Sequence, residues 1–256
     1  NIVWPEVGRL TGEDTGIGRL AEPQQIFEAA TSFLGGPLSG KRVLVTAGGT
    51  REPIDAARFI GNYSSGKQGI AFARVAKQLG AEVQVIGANV DESMTVGLDC
   101  VKVQTASELG QALKAKQGSY DVLIMSAAVA DLSPAKPTGS KLKRSEIGDK
   151  MELQLVANPD LLAQTVSALG VHRQNTIVVG FAAEASGELE SLAREKLESK
   201  NCDYIVANDV SNNMVFGKDD TEVLLVSQSG SERISGSKQA VAATVLSRIA
   251  SSAGES

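Results

Sequence analysis

From Arg42 onward, short runs rich in β-branched residues take turns with stretches of helical period, an order that few folds accommodate. Arg42–Ala47 (RVLVTA) predicts a first strand. Gly66–Leu79 sets Ile70, Ala73, Val75, Ala76 and Leu79 near a helical period and stops at Gly80. Glu82–Gly87 and Cys100–Gln104 predict two more strands, Ser107–Lys116 a helix, and Tyr120–Ala128 a nearly continuous apolar strand. Met151–Val156 alternates, and a helix runs from Asn158-Pro159-Asp160, with proline well placed near its start. Thr176–Ala182 reads as a buried strand, Glu188–Lys200 as a charged helix and Tyr204–Ala207 as a strand. Glu222–Ser227 and Glu232–Ser235 suit a terminal antiparallel pair turning at Ser229-Gly230, before a last helix over Ser237–Ser251. The expectation is an α/β fold of Rossmann-like, three-layer α/β/α type. Its sheet is mostly parallel, joined by right-handed crossovers, with a terminal antiparallel extension.

Composition narrows the function. Hydrophobic residues make up 42% of the 256 and aromatics only 4%, so the core rests on Val, Ile, Leu and Ala. That suits a sheet buried on both faces. A net charge of −5 speaks against a nucleic-acid partner, so lysines gathered locally point to a small anionic ligand. No apolar run nears the roughly 20 residues of a membrane span, and no signal peptide is evident. Cys100 and Cys202 lack metal-ligand spacing and read as free thiols of a reducing, cytoplasmic setting. His172 is the only histidine, which removes histidine catalysis, histidine zinc sites and Ser-His-Asp triads. The chain begins at Asn1 rather than Met, as a fragment or processed product would. Residues 1–36 are rich in Gly, Pro and acidic groups, with one short helical stretch, Pro23–Phe33. Gly35–Gly40 reads as a linker, giving a segment 1–39 and a domain 40–256.

In such sheets ligands bind beyond the carboxyl ends of the strands. After strand one comes Thr46–Pro53 and then Asn62-Tyr63-Ser64-Ser65-Gly66-Lys67-Gln68-Gly69 at a helix start. Hydroxyls, a glycine and the helix dipole there make a phosphate cradle, or else an ordinary Ser-capped helix. Neither a Walker A loop nor G-x-G-x-x-G is present. Ser126–Asp131 ends a buried strand in small residues, and Asp131 suits ribose hydroxyls, a phosphate-borne metal or a plain loop start. Pro134–Asp149 gathers Lys136, Lys141, Lys143 and Arg144 among Gly, Pro and Ser: a basic flap over an anion, or a solvated charged loop. A fourth set comprises Asn158-Pro159-Asp160, Phe181–Glu184, Lys196 with Lys200 one turn apart, and Asn208-Asp209.

Taken in order, TAGGTREPID, ARFIGNYSSGKQG, SAAVAD, KLKR, NPDLL, VGFAAE and VANDV resemble bacterial-type phosphopantothenate–cysteine ligases (phosphopantothenoylcysteine synthetases) over about residues 40–256. Residues 9–27 are similar to the tail of the flavin-dependent decarboxylase commonly fused ahead of such ligases. The resemblance implies CTP as co-substrate, Mg²⁺ or Mn²⁺ with unassigned ligands, and FMN only in the decarboxylase half. It implies 4′-phosphopantothenate and L-cysteine as substrates, an acyl-cytidylate intermediate, and a homodimer. It casts Asn62 and Lys141 as catalytic, and Arg58, Asn62 and Ala128 as substrate-binding. Nucleotide binding would fall to Ser64, Ser65, Gly66, Met125, Ser126, Ala127, Asp131, Lys141, Asn158, Pro159, Asp160, Leu161, Phe181, Lys196 and Lys200. Arg144 stands where the family often has Lys, which keeps the charge. An NAD(P) oxidoreductase would want an acidic residue after strand two, where Gly87-Ala88-Asn89 stands. A non-catalytic nucleotide-binding module would need no flap lysine.

Overall fold

A computed structural model describes residues 6–9, 15–21, 26, 35–148, 150–184, 188–209 and 220–253. A hairpin of β1 (Glu6–Arg9) and β2 (Thr15–Arg19) precedes the main sheet. Strand β3 (Arg42–Gly48) leads through the small hairpin β4 (Arg51–Pro53) and β5 (Phe59–Gly61) into α1 (Lys67–Gln78). Then follow β6 (Glu82–Ala88), α2 (Glu92–Thr95), β7 (Asp99–Val103), α3 (Ala106–Ala115) and β8 (Val122–Met125). Strands β9 (Leu132–Pro134) and β10 (Leu155–Ala157) pair with each other and flank α4 (Arg144–Ile147). The chain continues as α5 (Leu161–Ala168), a 3-10 turn (Gly170–Asn175), β11 (Ile177–Glu184), α6 (Leu189–Ser199) and β12 (Tyr204–Asp209). It ends with β13 (Asp220–Ser227), β14 (Gly230–Ser237) and α7 (Lys238–Ala253).

The eight-stranded sheet has the order β14-β13-β12-β11-β8-β3-β6-β7, parallel from β7 to β12 and antiparallel over β13 and β14. Both faces are covered, which is why RVLVTAG shows no polar alternation. Val43, Val45 and Ala47 face α1 and α7 in one core. Leu44 turns the other way, into a second core with α3, α5 and α6. Progress along the sheet reverses between β3 and β8. A crevice must open there above the strand ends, because the connections leave in opposite directions.

The predicted elements form, with shifts that have local causes. Tyr120–Ala128 is a strand only over Val122–Met125. Beyond it the Ser126 hydroxyl donates to Thr46 O (2.6 Å), and Ala127 N–H donates to the Thr46 hydroxyl (3.1 Å), in place of ladder bonds. Of Met151–Val156 only the end pairs, because β9 offers three residues. Pro159 lies before the helix rather than within its first turn; Asp160 is the N-cap of α5. The terminal pair turns at Gln228-Ser229, one residue earlier than expected. The Gly35–Gly40 linker packs down, with Leu38 buried and its N–H on Leu79 O (2.9 Å). The predicted helix Pro23–Phe33 lies outside the described residues apart from Ile26.

Gly48 ends β3 at φ +91°, and a Cβ there would stand 2.0 Å from Ala88 O. We expect Gly48→Ala to cost about 2–4 kcal/mol through left-handed strain and overpacking. Urea unfolding checks this; a loss below about 0.5 kcal/mol would show that the strand ends yield freely.

Candidate active site

A cavity of about 670 Å³ occupies the crevice between β3 and β8. Its floor is Met125–Asp131, one wall is Asn62 with Ser64–Gly69, and the other is Asn158–Leu162, Phe181–Glu184, Lys196 and Lys200. Glycine decides how near α1 comes to the floor. Gly66 caps the helix at φ +79° without any side-chain bond, and a Cβ there would meet Val90 Cγ2 at 2.9 Å. At Gly69 a Cβ would lie 2.3 Å from Ser126 Oγ. Ile70 N–H is the first amide bonded to a helical carbonyl, that of Gly66 (3.0 Å). The amides of Lys67, Gln68 and Gly69 have no such carbonyl, and the three residues line the cavity. The N-cap position is glycine, and the nearest serine hydroxyl, that of Ser65, accepts Lys67 N–H only at 3.5 Å.

The floor is held from three sides. Asn62 Nδ2 donates to Val129 O (3.1 Å), Asn158 Nδ2 to Ala130 O (2.7 Å), and Ala130 N–H to the Thr50 hydroxyl (2.9 Å). Asn158 N–H also bonds Asp131 O at 2.8 Å. Asp131 is thereby fixed by its backbone, while among the described residues its exposed carboxylate has no hydrogen bond or ion pair. Its charge is available at the cavity mouth.

Lysines outnumber carboxylates around this space: Lys67, Lys196, Lys200 and Lys238 against Asp131, Asp160 and Glu184. In a chain of net charge −5 that balance selects an anion. Lys200 Nζ lies 2.7 Å from Asp160 Oδ2, and Asp160 Oδ1 accepts Ala163 N–H (2.8 Å). Burial pushes the Asp160 carboxyl up, but that amide and Lys200 outweigh it and hold the group below its ordinary range. Phe181 forms wall and core together, its ring edge-to-face with Phe72 at 5.4 Å. The Nε2 of Gln68, a cavity-lining residue, is buried without a partner, a donor that a bound anion's oxygen would satisfy.

Of the residues to which the resemblance assigns a role, all but two line this cavity, whereas the other flap cations Lys136, Lys143 and Arg144, and Asp209, do not. Lys141 is exposed and outside it. Arg58 also stands apart, donating from Nε to Asp55 Oδ2 (2.9 Å) and from Nη2 to Asp55 and to Leu142 O (3.0 Å). Sequence reasoning missed Lys238, the first residue of α7. Its signal was its position immediately after a strand, but it had to be known that β13 runs against β12 and β14 against β13, so that β14 regains the sense of the parallel strands and ends at the crevice.

A model of the DNA/pantothenate metabolism flavoprotein C-terminal domain family matches residues 38–253. The coenzyme A biosynthesis bifunctional protein CoaBC of Mycobacterium tuberculosis is 40% identical over 97% of this chain. Its namesake from Vibrio vulnificus is 39% identical over 96% of the chain. The chain spans 62% of the length of each of these relatives. The crystal structure of the C-terminal domain of a CoaBC protein superposes with a TM-score of 0.69 at 32% identity, covering 86% of this chain and 100% of that one.

Arg58, beside it, holds the Asp55 carboxyl well below the usual carboxylate range, aided by the amides of Ala57, Leu142 and Arg58 against the opposing effect of burial. A depressed folded value stabilises fully above the unfolded value of about 3.9 and ceases to do so as pH falls through the folded one. Urea midpoints should therefore fall as pH drops below about 4, and Asp55→Asn should flatten that limb. Identical acid limbs in the two proteins would mean that the pairing adds nothing to stability.

Proposed function

The chain belongs to the DNA/pantothenate metabolism flavoprotein C-terminal domain family, and on that basis we propose that it is a CTP-dependent phosphopantothenate–cysteine ligase. The observation that carries the reading is the crevice between β3 and β8, floored by small residues, rimmed by lysines and faced by the first turn of α1. Relatives named for coenzyme A biosynthesis support the substrate class.

The substrate carboxylate attacks the α-phosphate of CTP, giving acyl-cytidylate and pyrophosphate; the cysteine amine then displaces CMP and forms the amide. Both steps gather negative charge on oxygen, so fixed donors and cations lower the barrier. Ser64, Ser65 and Gly66 cradle phosphates, with Lys196 and Lys200 beside them. Asp131 takes the ribose, Asn158–Leu161 border the nucleotide, and Phe181 lies against the base. Met125, Ser126, Ala127 and Ala128 form a floor on which ligand and backbone come close. Asn62, already aligned by Val129, orients the acyl group with its remaining amide hydrogen and oxygen. Lys141 closes on the α-phosphate, and Arg58 serves the substrate's phosphate.

Magnesium, or manganese, fits as a phosphate-borne ion. Among the described residues no three His, Cys, Asp or Glu side chains cluster into a site of their own, so the ion's protein ligands stay unassigned. Such an ion needs few protein ligands when phosphates supply the rest. An oxidoreductase reading finds less support. Asn89, after the second parallel strand, spends both amide hydrogens on Gly49 O and Gln104 O (both 2.9 Å) and brings no carboxylate to accept from a ribose.

We further propose that residues 1–39 are the tail of an FMN-dependent decarboxylase fused ahead of the ligase domain 40–256. The free cysteines fit a cytoplasmic setting, and among the described residues no helix is long and apolar enough to cross a membrane. For the quaternary state we propose a homodimer through the face where β4–β5 lies beside β9–β10. Phe59, Leu132, Leu155 and Val156 stand exposed there, an apolar surface of the kind that a second subunit covers.

Pyrophosphate release should require CTP and phosphopantothenate together, with ATP, GTP and UTP much poorer. Lys141→Gln should keep the fold and much of the nucleotide binding while slowing turnover about 100-fold or more; near-normal turnover would remove the flap from the chemistry. In sedimentation the chain should run as a dimer, and Phe59→Ser with Val156→Ser should shift it to monomer. A monomeric native chain at micromolar concentration would exclude that interface.

A further inference from the structure

The strip that carries Lys141 is tied at both ends to adjacent residues of one turn. Thr138 N–H donates to Ile54 O (3.1 Å), and Leu142 N–H to Asp55 Oδ2 (3.2 Å). The Leu142 carbonyl accepts Arg58 Nη2 at 3.0 Å, so both of its backbone groups are held. Only Gly139, Ser140 and Lys141 lie between the two ties, and Ser140 N–H is folded back on the Thr138 hydroxyl (3.2 Å). The Lys141 Cα is thus a single step of about 3.8 Å from a fixed point.

The Asp55 carboxylate does two separable things. Its Oδ1 accepts Ala57 N–H and Arg58 N–H (both 2.8 Å) and closes its own turn. Its Oδ2 takes the Arg58 guanidinium and reaches Leu142, 87 positions along the chain. Asp55 is only 3% exposed, and a buried carboxylate is tolerated when donors surround it. Turn closure needs Oδ1 alone; the second oxygen serves the strip. The turn is itself anchored to the sheet rim. Glu52 Oε1 accepts Ala106 N–H at the start of α3 (2.9 Å), and Arg51 N–H bonds Gln104 O (2.9 Å).

We infer that Asp55 is a positioning residue, the mount from which the flap presents Lys141 to the crevice. The catalytic consequence rests on the ligase reading; the mechanical one does not. Asp55 and Arg58 together fix the pivot, so Lys141 moves on a short radius instead of searching from a loose loop.

The test compares the native chain with Asp55→Asn, Leu142→Pro, which deletes the N–H that Asp55 receives, and Asp121→Asn. The last breaks an ion pair with Arg42 (2.8 Å) at the opposite end of the sheet and controls for general loss of stability. Trypsin cleavage after Lys143 and Arg144 is timed by mass spectrometry, well below each protein's melting midpoint; the bond after Lys141 is left out because Leu142→Pro makes it resistant to trypsin. Flap cleavage should rise about tenfold in the first two variants and not in the control, since proteolysis follows the population of the opened segment. In the same two variants kcat, referred to the folded fraction measured by circular dichroism, should fall about tenfold while KM for CTP stays within about twofold and the Asp121→Asn control keeps its kcat. Unchanged cleavage or unchanged kcat in a cooperatively melting Asp55→Asn would overturn the inference. If that variant does not fold, Leu142→Pro decides by the same criteria. Should the native chain release no pyrophosphate from CTP and phosphopantothenate, the ligase reading fails, while the cleavage comparison still decides whether Asp55 mounts the flap.

Discussion

Everything at the functional end of the molecule depends on how closely a helix start can approach two strand ends. Gly48, Gly66 and Gly69 lie where any side chain would strike backbone or a neighbour, so the first turn of α1 sits directly on β3 and β8. This contact aims the start of α1 at a space walled by the reversal in strand order. Without it the dipole of α1 would be masked by side chains or water, and the lysines alone would hold an anion loosely.

The floor of that space is polar backbone in a largely apolar sheet, which costs free energy unless every group is paired. Thr46, Thr50, Asn62, Ser126 and Asn158 supply the pairing, one bond each or more. Several residues that read as ligand contacts are therefore structural first. Asn158 spends one amide hydrogen on Ala130, and Lys200 is held by Asp160. Such prior commitment is what preorganisation means here: the groups are oriented before any ligand arrives.

The hairpin β4–β5, inserted between the first strand and the first helix, concentrates the features that a plain dinucleotide-binding sheet lacks. It carries an exposed apolar edge, leads to Asn62, and holds the Lys141 strip through Asp55 and Arg58. Glu52 and Arg51 lock it to the rim beside α3. A small element can bear this load because its ties are charged or backbone bonds to the rigid sheet.

The sequence by itself determined the alternation of strands and helices, the burial of both sheet faces and the loops at which chemistry gathers. Those are consequences of local period, β-branching and glycine, which act over a few neighbours. Residues such as Ser65, Asp131 and Phe181 were legible as cavity residues because they stand near or beyond strand ends, and the parallel sense puts all such ends on one edge. Only the tertiary structure decided that Lys238 joins them, that Arg58 and Lys141 stand outside the cavity, and that three-residue strands pair far along the chain. Those outcomes depend on which strands become neighbours and on which distant backbone groups satisfy a buried carboxylate. Nothing in a residue's own neighbourhood encodes a partner 87 positions away.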